Sequence, residues 1–258
     1  MEVLLDAILT VLGGILGVVV PVLFALAMNQ GVARSPLSDE QKGAYRRAII
    51  VVTVVWTAAI WIASLLHILN YQAGDAWPRI ALPLFIPVII AVALLLHPTF
   101  RTIVDNIPVA TLVGVQTFRL AGFVFLIIPG LGHLPQAFVT GGYGDIATGV
   151  LAIIAGLMLA RKYAGAAFWF VLFSLVGMGD LLNVAGLLFY FYPSWNNAVP
   201  SSAALAEFSL VMVPAIAAPM ALILHLYAIR NAFFSREDST GENRAEAPSF
   251  AIPPGRQG

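Results

Sequence analysis

The sequence predicts an all-α fold: a polytopic bundle of seven transmembrane helices, with the amino terminus outside and the carboxyl terminus in the cytoplasm. Three observations predict it. Of the 258 residues 60% are apolar and 10% charged, where soluble domains hold roughly 45 to 50% and 25%. Seven continuous apolar stretches reach about 18 residues or more, enough to cross a hydrocarbon core as helices. Threading the chain through all seven leaves eleven of its thirteen Lys and Arg residues on one side, the cytoplasmic excess that orients inserted helices. The runs are continuously apolar, without the alternation of a barrel strand, so helices follow.

The first span covers residues 3–28. It opens with Glu2 and Asp6 rather than a basic region, so it reads as uncleaved although Ala25-Leu26-Ala27 resembles a signal-peptidase site. The loop 29–45 carries Arg34 and Lys42, and Arg46 and Arg47 follow, which places it in the cytoplasm. Within it Ser38-Asp39-Glu40-Gln41 fits a capping box, so the second helix begins before its apolar span, 48–70. The remaining spans are 80–97, 108–128, 138–160, 166–191 and 203–229. Arg101, then Arg161 and Lys162, mark inner loops, and Arg230, Arg236, Arg244 and Arg256 place the carboxyl end inside. Only Arg79 and Arg119 break the pattern. Tyr71, Trp77, Tyr190, Tyr192 and Trp195 cluster in the outer loops, where amphipathic rings suit the headgroup boundary.

Residues 1–232 thus form a seven-helix transmembrane domain, and 233–258, polar and carrying Pro253-Pro254-Gly255, a disordered cytoplasmic tail. A net charge of zero gives no case for nucleic acid. The absence of cysteine removes disulfides, thiol catalysis and thiolate metal sites. The expected surroundings are the lipid bilayer of a bacterial plasma (inner) membrane, with the oligomeric state left open.

Function is read from polar residues inside the apolar spans, because each ionisable group there costs about 2.5 to 3.5 kcal/mol to insert. With this topology Asp6, His67, Arg119, Asp145, Asp180 and Glu207 all fall in the outer half of the membrane, on six helices. Gln116 lies three residues before Arg119, and Asn183 three after Asp180, so each charge has a neutral neighbour on its own face. The expectation is an outward-facing cavity in which Arg119, Asp145, Asp180, Gln116, His67, Asn183 and Glu207 bind or transport a small polar solute or protons. Two plainer roles stand beside it. Arg119 can pair with an aspartate simply to link helices, and Glu207 and Asp6, near helix starts, can face water at the positive end of the dipole.

A sharper pattern is Gly142-Tyr143-Gly144-Asp145 followed by Gly177-Met178-Gly179-Asp180, both Gly-x-Gly-Asp on consecutive antiparallel helices. It resembles the motif of intramembrane aspartyl proteases of the presenilin, signal-peptide-peptidase and prepilin-peptidase type, and Pro214-Ala215-Ile216 looks like their third element. The resemblance implies Asp145 and Asp180 as catalytic residues sharing one proton. Against it, the third element ends in Ile, and Arg119 nearby favours two ionised carboxylates. The glycines also serve as packing positions, since small residues let helices approach. Gln116-Thr117-Phe118-Arg119-Leu120-Ala121-Gly122, Leu134-Pro135 and Gly142-Tyr143-Gly144-Asp145 together are similar to a pattern of uncharacterised bacterial multi-span membrane proteins, a likeness that implies no activity.

His97 and His225 share a predicted inner depth, which raises haem ligation by two imidazoles. Both sit within about a turn of predicted helix ends, where histidine commonly meets water, so no cofactor is expected. His133 reads as a loop residue. Pro83 and Pro87, and Pro214 and Pro219, should kink spans three and seven. Ala93-Leu94-Leu95-Leu96-His97 against Ala221-Leu222-Ile223-Leu224-His225 is the one hint of a repeat, and a single pentapeptide of common membrane residues does not establish one.

Overall fold

The computed structural model describes residues 2–233; side chains near the start of the first helix, Asp6 among them, and the tail from residue 234 lie outside the described residues. Regular structure among the described residues is helical throughout. Six helices are long and apolar enough to cross a membrane, seven if one sharply bent pair counts as a span.

The first helix, α1 (Glu2–Arg34), runs past its predicted end at residue 28, and α2 (Asp39–Leu65) follows after a short loop. The capping box sets that start: Ser38 Oγ accepts from the Gln41 amide at 3.3 Å, and the Gln41 side chain accepts from the Ser38 amide at 3.1 Å. The third predicted span is broken. Its first arm, α3 (Ala81–Leu94), has 14 residues, about 21 Å of helix against a roughly 30 Å core. The chain then turns by 101° into α4 (Pro98–Asp105). The cause is local: the Pro98 ring disfavours helix for the residue before it, and His97 sits in an extended conformation at φ −81°, ψ 120°.

The fourth span comprises α5 (Val109–Gly114), a 3-10 stretch (Val115–Phe123) and α6 (Val124–Ile127). Three residues per turn put Gln116, Arg119 and Gly122 in one row, and all three are buried. The helices α7 (Val139–Ala160) and α8 (Ala166–Tyr190) match the predicted spans. The seventh does not run continuously from residue 203. It consists of a short 3-10 turn (Ser202–Ala206), a π-helical stretch (Val213–Ala217) and α9 (Ala218–Phe233). Pro214 and Pro219 lack the amide hydrogen that an α-helix needs there, and the wide turn accommodates the loss.

Two apolar cores stack along the bundle. One gathers Leu84, Phe125, Phe138, Leu205 and Met212, the other Met28, Ile103, Phe170, Phe173 and Leu224, with Phe118 packed against both. At the second core's end Arg230 pairs with Asp105 through bonds of 2.9 and 3.1 Å, and the Asn231 amide donates to the Val104 and Ile107 carbonyls. Eight of the ten described Lys and Arg residues gather at this same end; Arg79 lies at the other and Arg119 between them. The last span is 67% buried, whereas α2 is 17% buried and shows most of its Val and Ile side chains outward. So large an apolar exterior is that of a multi-span membrane protein.

Candidate functional site

Arg119 lies at the seam between the two cores with 3% of its surface exposed. Its guanidinium reaches three helices. Nε donates to Asp145 Oδ1 of α7 at 2.7 Å, Nη2 donates to Asp180 Oδ2 of α8, and Nη1 donates to the Gly177 carbonyl at 3.2 Å. Nη1 also faces His225 Nε2 of α9 at 3.5 Å. Because an arginine only donates, a hydrogen bond there requires Nε2 to be the bare nitrogen of that ring and Nδ1 to carry the hydrogen. The other side of the imidazole stacks on Phe173, with centroids 4.6 Å apart.

Each polar side chain occupies space that a glycine on a neighbouring helix leaves open. A Cβ on Gly122 would fall within 2.6 Å of the Asp145 carboxyl carbon. One on Gly144 would overlap the Asp180 carboxylate, and one on Gly177 would lie 2.5 Å from His225 Cε1 and 2.9 Å from Thr148 Cγ2. The two Gly-x-Gly-Asp motifs therefore interlock: the first supplies the gap for the second's aspartate, and the second supplies the gap for His225.

Several buried polar atoms have no protein partner: Asp180 Oδ1 and His225 Nδ1, on side chains that meet the guanidinium, and both amide atoms of Gln116, one 3-10 turn before Arg119. Beside Arg119, Asp145 and Asp180 lies a cavity of about 50 Å³, otherwise lined by residues such as Leu16, Phe118 and Val213. That is room for a few waters, far below the roughly 300 Å³ at which pockets for organic ligands begin. The described residues hold no cluster of three or more His, Asp or Glu side chains placed to bind a metal ion.

The cluster sits at mid-span. Arg119 is the eleventh of 23 residues, Asp145 the tenth of 25, Asp180 the fifteenth of 25 and His225 the thirteenth of 21. The sequence placed the acids and arginine in the outer half and His225 near the inner end.

Of the seven expected site residues, four come together or adjoin: Arg119, Asp145, Asp180 and the buried Gln116. The other three stay out. His67 is exposed just past the end of α2, at φ 55°, beside Asn70. Asn183 is exposed and donates to Thr140 Oγ1 at 3.0 Å. Glu207 is exposed on the loop before the π-helical stretch. His225 was missed as a member of this group. The available signal was its place in a run, Ala221, Leu224 and Ala228, that is buried on the same face. His97, the residue that shares its predicted inner depth, is exposed at the bundle end, so the two imidazoles lie at different levels.

Residues 77–233 match the family described as Domain of unknown function (DUF8737). The chain belongs to that family. The matched DUF8737 region contains Arg119, Asp145, Asp180 and His225 and runs from the approach to α3 to the end of α9, while α1 and α2 precede it. Comparisons with curated proteins and with solved structures returned no match.

Proposed function

We propose that this protein binds and exchanges a proton at a mid-membrane Arg–Asp–Asp cluster, as a proton relay or a proton-coupled transporter. The observation that carries the reading is the charge count at one guanidinium. Arg119 balances one carboxylate of the pair it holds, and the second remains to be balanced. An uncompensated charge at that depth is costly, and a proton on the carboxylate removes it. The unpartnered Oδ1 of Asp180 lies beside the small cavity, where such a proton can be received. A monovalent cation would serve less well, because Arg119, Asp145 and Asp180 are the polar residues lining that cavity and supply too few oxygens to replace a hydration shell. A solute as large as a sugar does not fit 50 Å³.

The distribution of Lys and Arg supports an orientation with the amino terminus outside and the carboxyl terminus cytoplasmic. The π-helical stretch and the break between α3 and α4 are places where such a protein can change shape, as broken helices do in transporters.

Infrared spectroscopy of the purified protein in lipid tests the reading. The wild type should show a protonated-carboxyl C=O stretch that is lost in Asp180→Asn or Asp145→Asn. Absence of that band from mildly acid to mildly alkaline buffer would overturn it. A second reading, intramembrane aspartyl proteolysis, is favoured by the meeting of Asp145 and Asp180 on one group. It requires that either Asp→Asn change abolish cleavage of a membrane-anchored peptide, while Arg119→Met leaves cleavage in place.

A further inference from the structure

A second cavity lies apart from the charged cluster, where α2 stands off from the body of the bundle. Its volume is about 350 Å³, and its walls come from α1, α2, α3, α4 and α9. It falls within the roughly 300 to 1,000 Å³ of small-molecule sites. The lining is apolar almost throughout, including Trp56, Ile90, Met220 and Phe100. The Tyr227 hydroxyl on its wall is already donated to the Ala91 carbonyl at 3.1 Å. Nothing here suits a polar solute. From Tyr45 to Trp56 the groove follows α2 for about 16 Å, the shape of an extended alkyl chain.

The groove's chemistry changes abruptly at one end. Tyr45 is followed by Arg46 and Arg47, and Phe100 by Arg101, all three arginines exposed. None of them is ion-paired with an acid among the described residues, whereas Arg79, Arg119 and Arg230 all are. Asp39 and Glu40 lie further along, in the first turn of α2. The helix α4 turns 101° from α3 and buries Ile103 and Val104 while exposing Arg101, the disposition of a helix lying in the headgroup plane. An apolar slot in which Tyr45 and Phe100, at one end, are each followed by an exposed arginine without an acidic partner among the described residues matches a molecule with an alkyl chain and an anionic head.

We propose that this groove binds one acyl chain of an anionic phospholipid, whose phosphate is held by Arg46 and Arg101. The bound chain completes the wall between α2, which lies outside the DUF8737 match, and the helices inside it. Ordinary annular lipid would contact α2 without regard to its head group; this site discriminates.

Trp56 lines the groove and reports on it. Full-length protein is placed in phosphatidylcholine bilayers containing a small fraction of either phosphatidylglycerol or phosphatidylcholine with brominated acyl chains. Quenching of Trp56 is isolated by difference from Trp56→Phe. Brominated phosphatidylglycerol should quench Trp56 at more than about tenfold lower mole fraction than its phosphatidylcholine counterpart. Arg46→Gln and Arg101→Gln should each weaken that preference about fivefold, as expected for one basic residue at an anionic surface. Ala48→Phe, which fills the groove while leaving the arginines intact, should abolish it. Inorganic phosphate should not displace the lipid. Equal quenching by the two lipids, no quenching by either, displacement by phosphate alone, or a preference that survives Ala48→Phe would each overturn the proposal.

Discussion

Arg119 can donate and cannot accept, and that sets what its neighbours must be: two carboxylates, a carbonyl and an imidazole nitrogen surround it. Removing it leaves two buried acids facing one another without a counter-charge, which costs about 3 to 5 kcal/mol for a broken buried pair. Arg119→Met should therefore unfold at markedly lower denaturant in mixed detergent micelles, and adding Asp145→Asn and Asp180→Asn should restore most of the loss. Failure of the triple change to recover stability would mean that the guanidinium works through shape and not charge. The glycines allow a sharper contrast. Gly177→Ala pushes a methyl group against His225 and Thr148 and should cost about 1 to 3 kcal/mol as overpacking. Gly179, two residues on, meets nothing within 4 Å, so Gly179→Ala should be neutral or gain up to about 1 kcal/mol from helix propensity. Equal effects in the same micelle titration would contradict the interlocking of the two Gly-x-Gly-Asp motifs.

The helices show which parts of this molecule its sequence made legible. Apolar length is a property of a local run, so α7 and α8 lie where the composition places them, and the Ser38–Gln41 box fixes the start of α2 by chemistry written in four residues. The break at Pro98 has a local cause too, but its 101° angle depends on how Ile103 and Val104 find the core. The 3-10 winding around Arg119 is likewise set by packing against α7, and no run of residues announces it. Arg119, Asp145 and Asp180 stood out because charge in an apolar run is costly. The predicted seventh span, 203–229, puts His225 near a helix end; the helix runs on to Phe233, which puts the ring at mid-span. Depth singles out His67 and Glu207, and the three-residue spacing from Asp180 singles out Asn183; neither fixes which residues a side chain meets. The connection between α2 and α3 yields a prediction of its own. Arg79 donates to Asp75 Oδ1 at 2.9 Å and to Gln72 Oε1 at 3.0 Å, and Trp195 Nε1 donates to the Ala76 carbonyl at 2.7 Å. The Arg79 hydrogen bond first, and the Gln72 amide second, hold the Asp75 carboxyl below its ordinary 3.8. A lowered carboxyl stabilises the loop above its unfolded value and loses that contribution as pH falls through the folded one. On acid titration the Trp195 emission, isolated by difference from Trp195→Phe, should shift only below the ordinary carboxylate range, and Asp75→Asn should show the shifted emission at neutral pH. A wild-type transition at or above 3.8 would remove Asp75 as its cause.

At the scale of the whole molecule, two apolar cores flank one charged seam, and the described Lys and Arg residues, all but two, sit beyond the same core. The asymmetry bears directly on insertion. Moving that end across a bilayer would carry Arg34, Lys42, Arg46, Arg47, Arg101, Arg161, Lys162 and Arg230 with it, whereas the opposite end carries Arg79, which is already paired with Asp75. The positive-inside bias therefore favours one orientation over its inverse, and it acts through loops short enough to be counted. The aromatic rings at the opposite end belong to the same argument: exposed Trp77, Tyr190 and Trp195 stand where amphipathic rings settle at a headgroup boundary. Because the chain contains no cysteine, a single introduced thiol reports its side without background. Asn197 is exposed in the loop after α8, and Glu40 is exposed at the opposite end, in the first turn of α2. In intact cells a membrane-impermeant maleimide should label Asn197→Cys and leave Glu40→Cys untouched until the membrane is permeabilised. The reverse pattern would invert the bundle and place the anionic-lipid groove in the outer leaflet, while the mid-span cluster, nearly equidistant from both faces, would keep its geometry and lose only its direction.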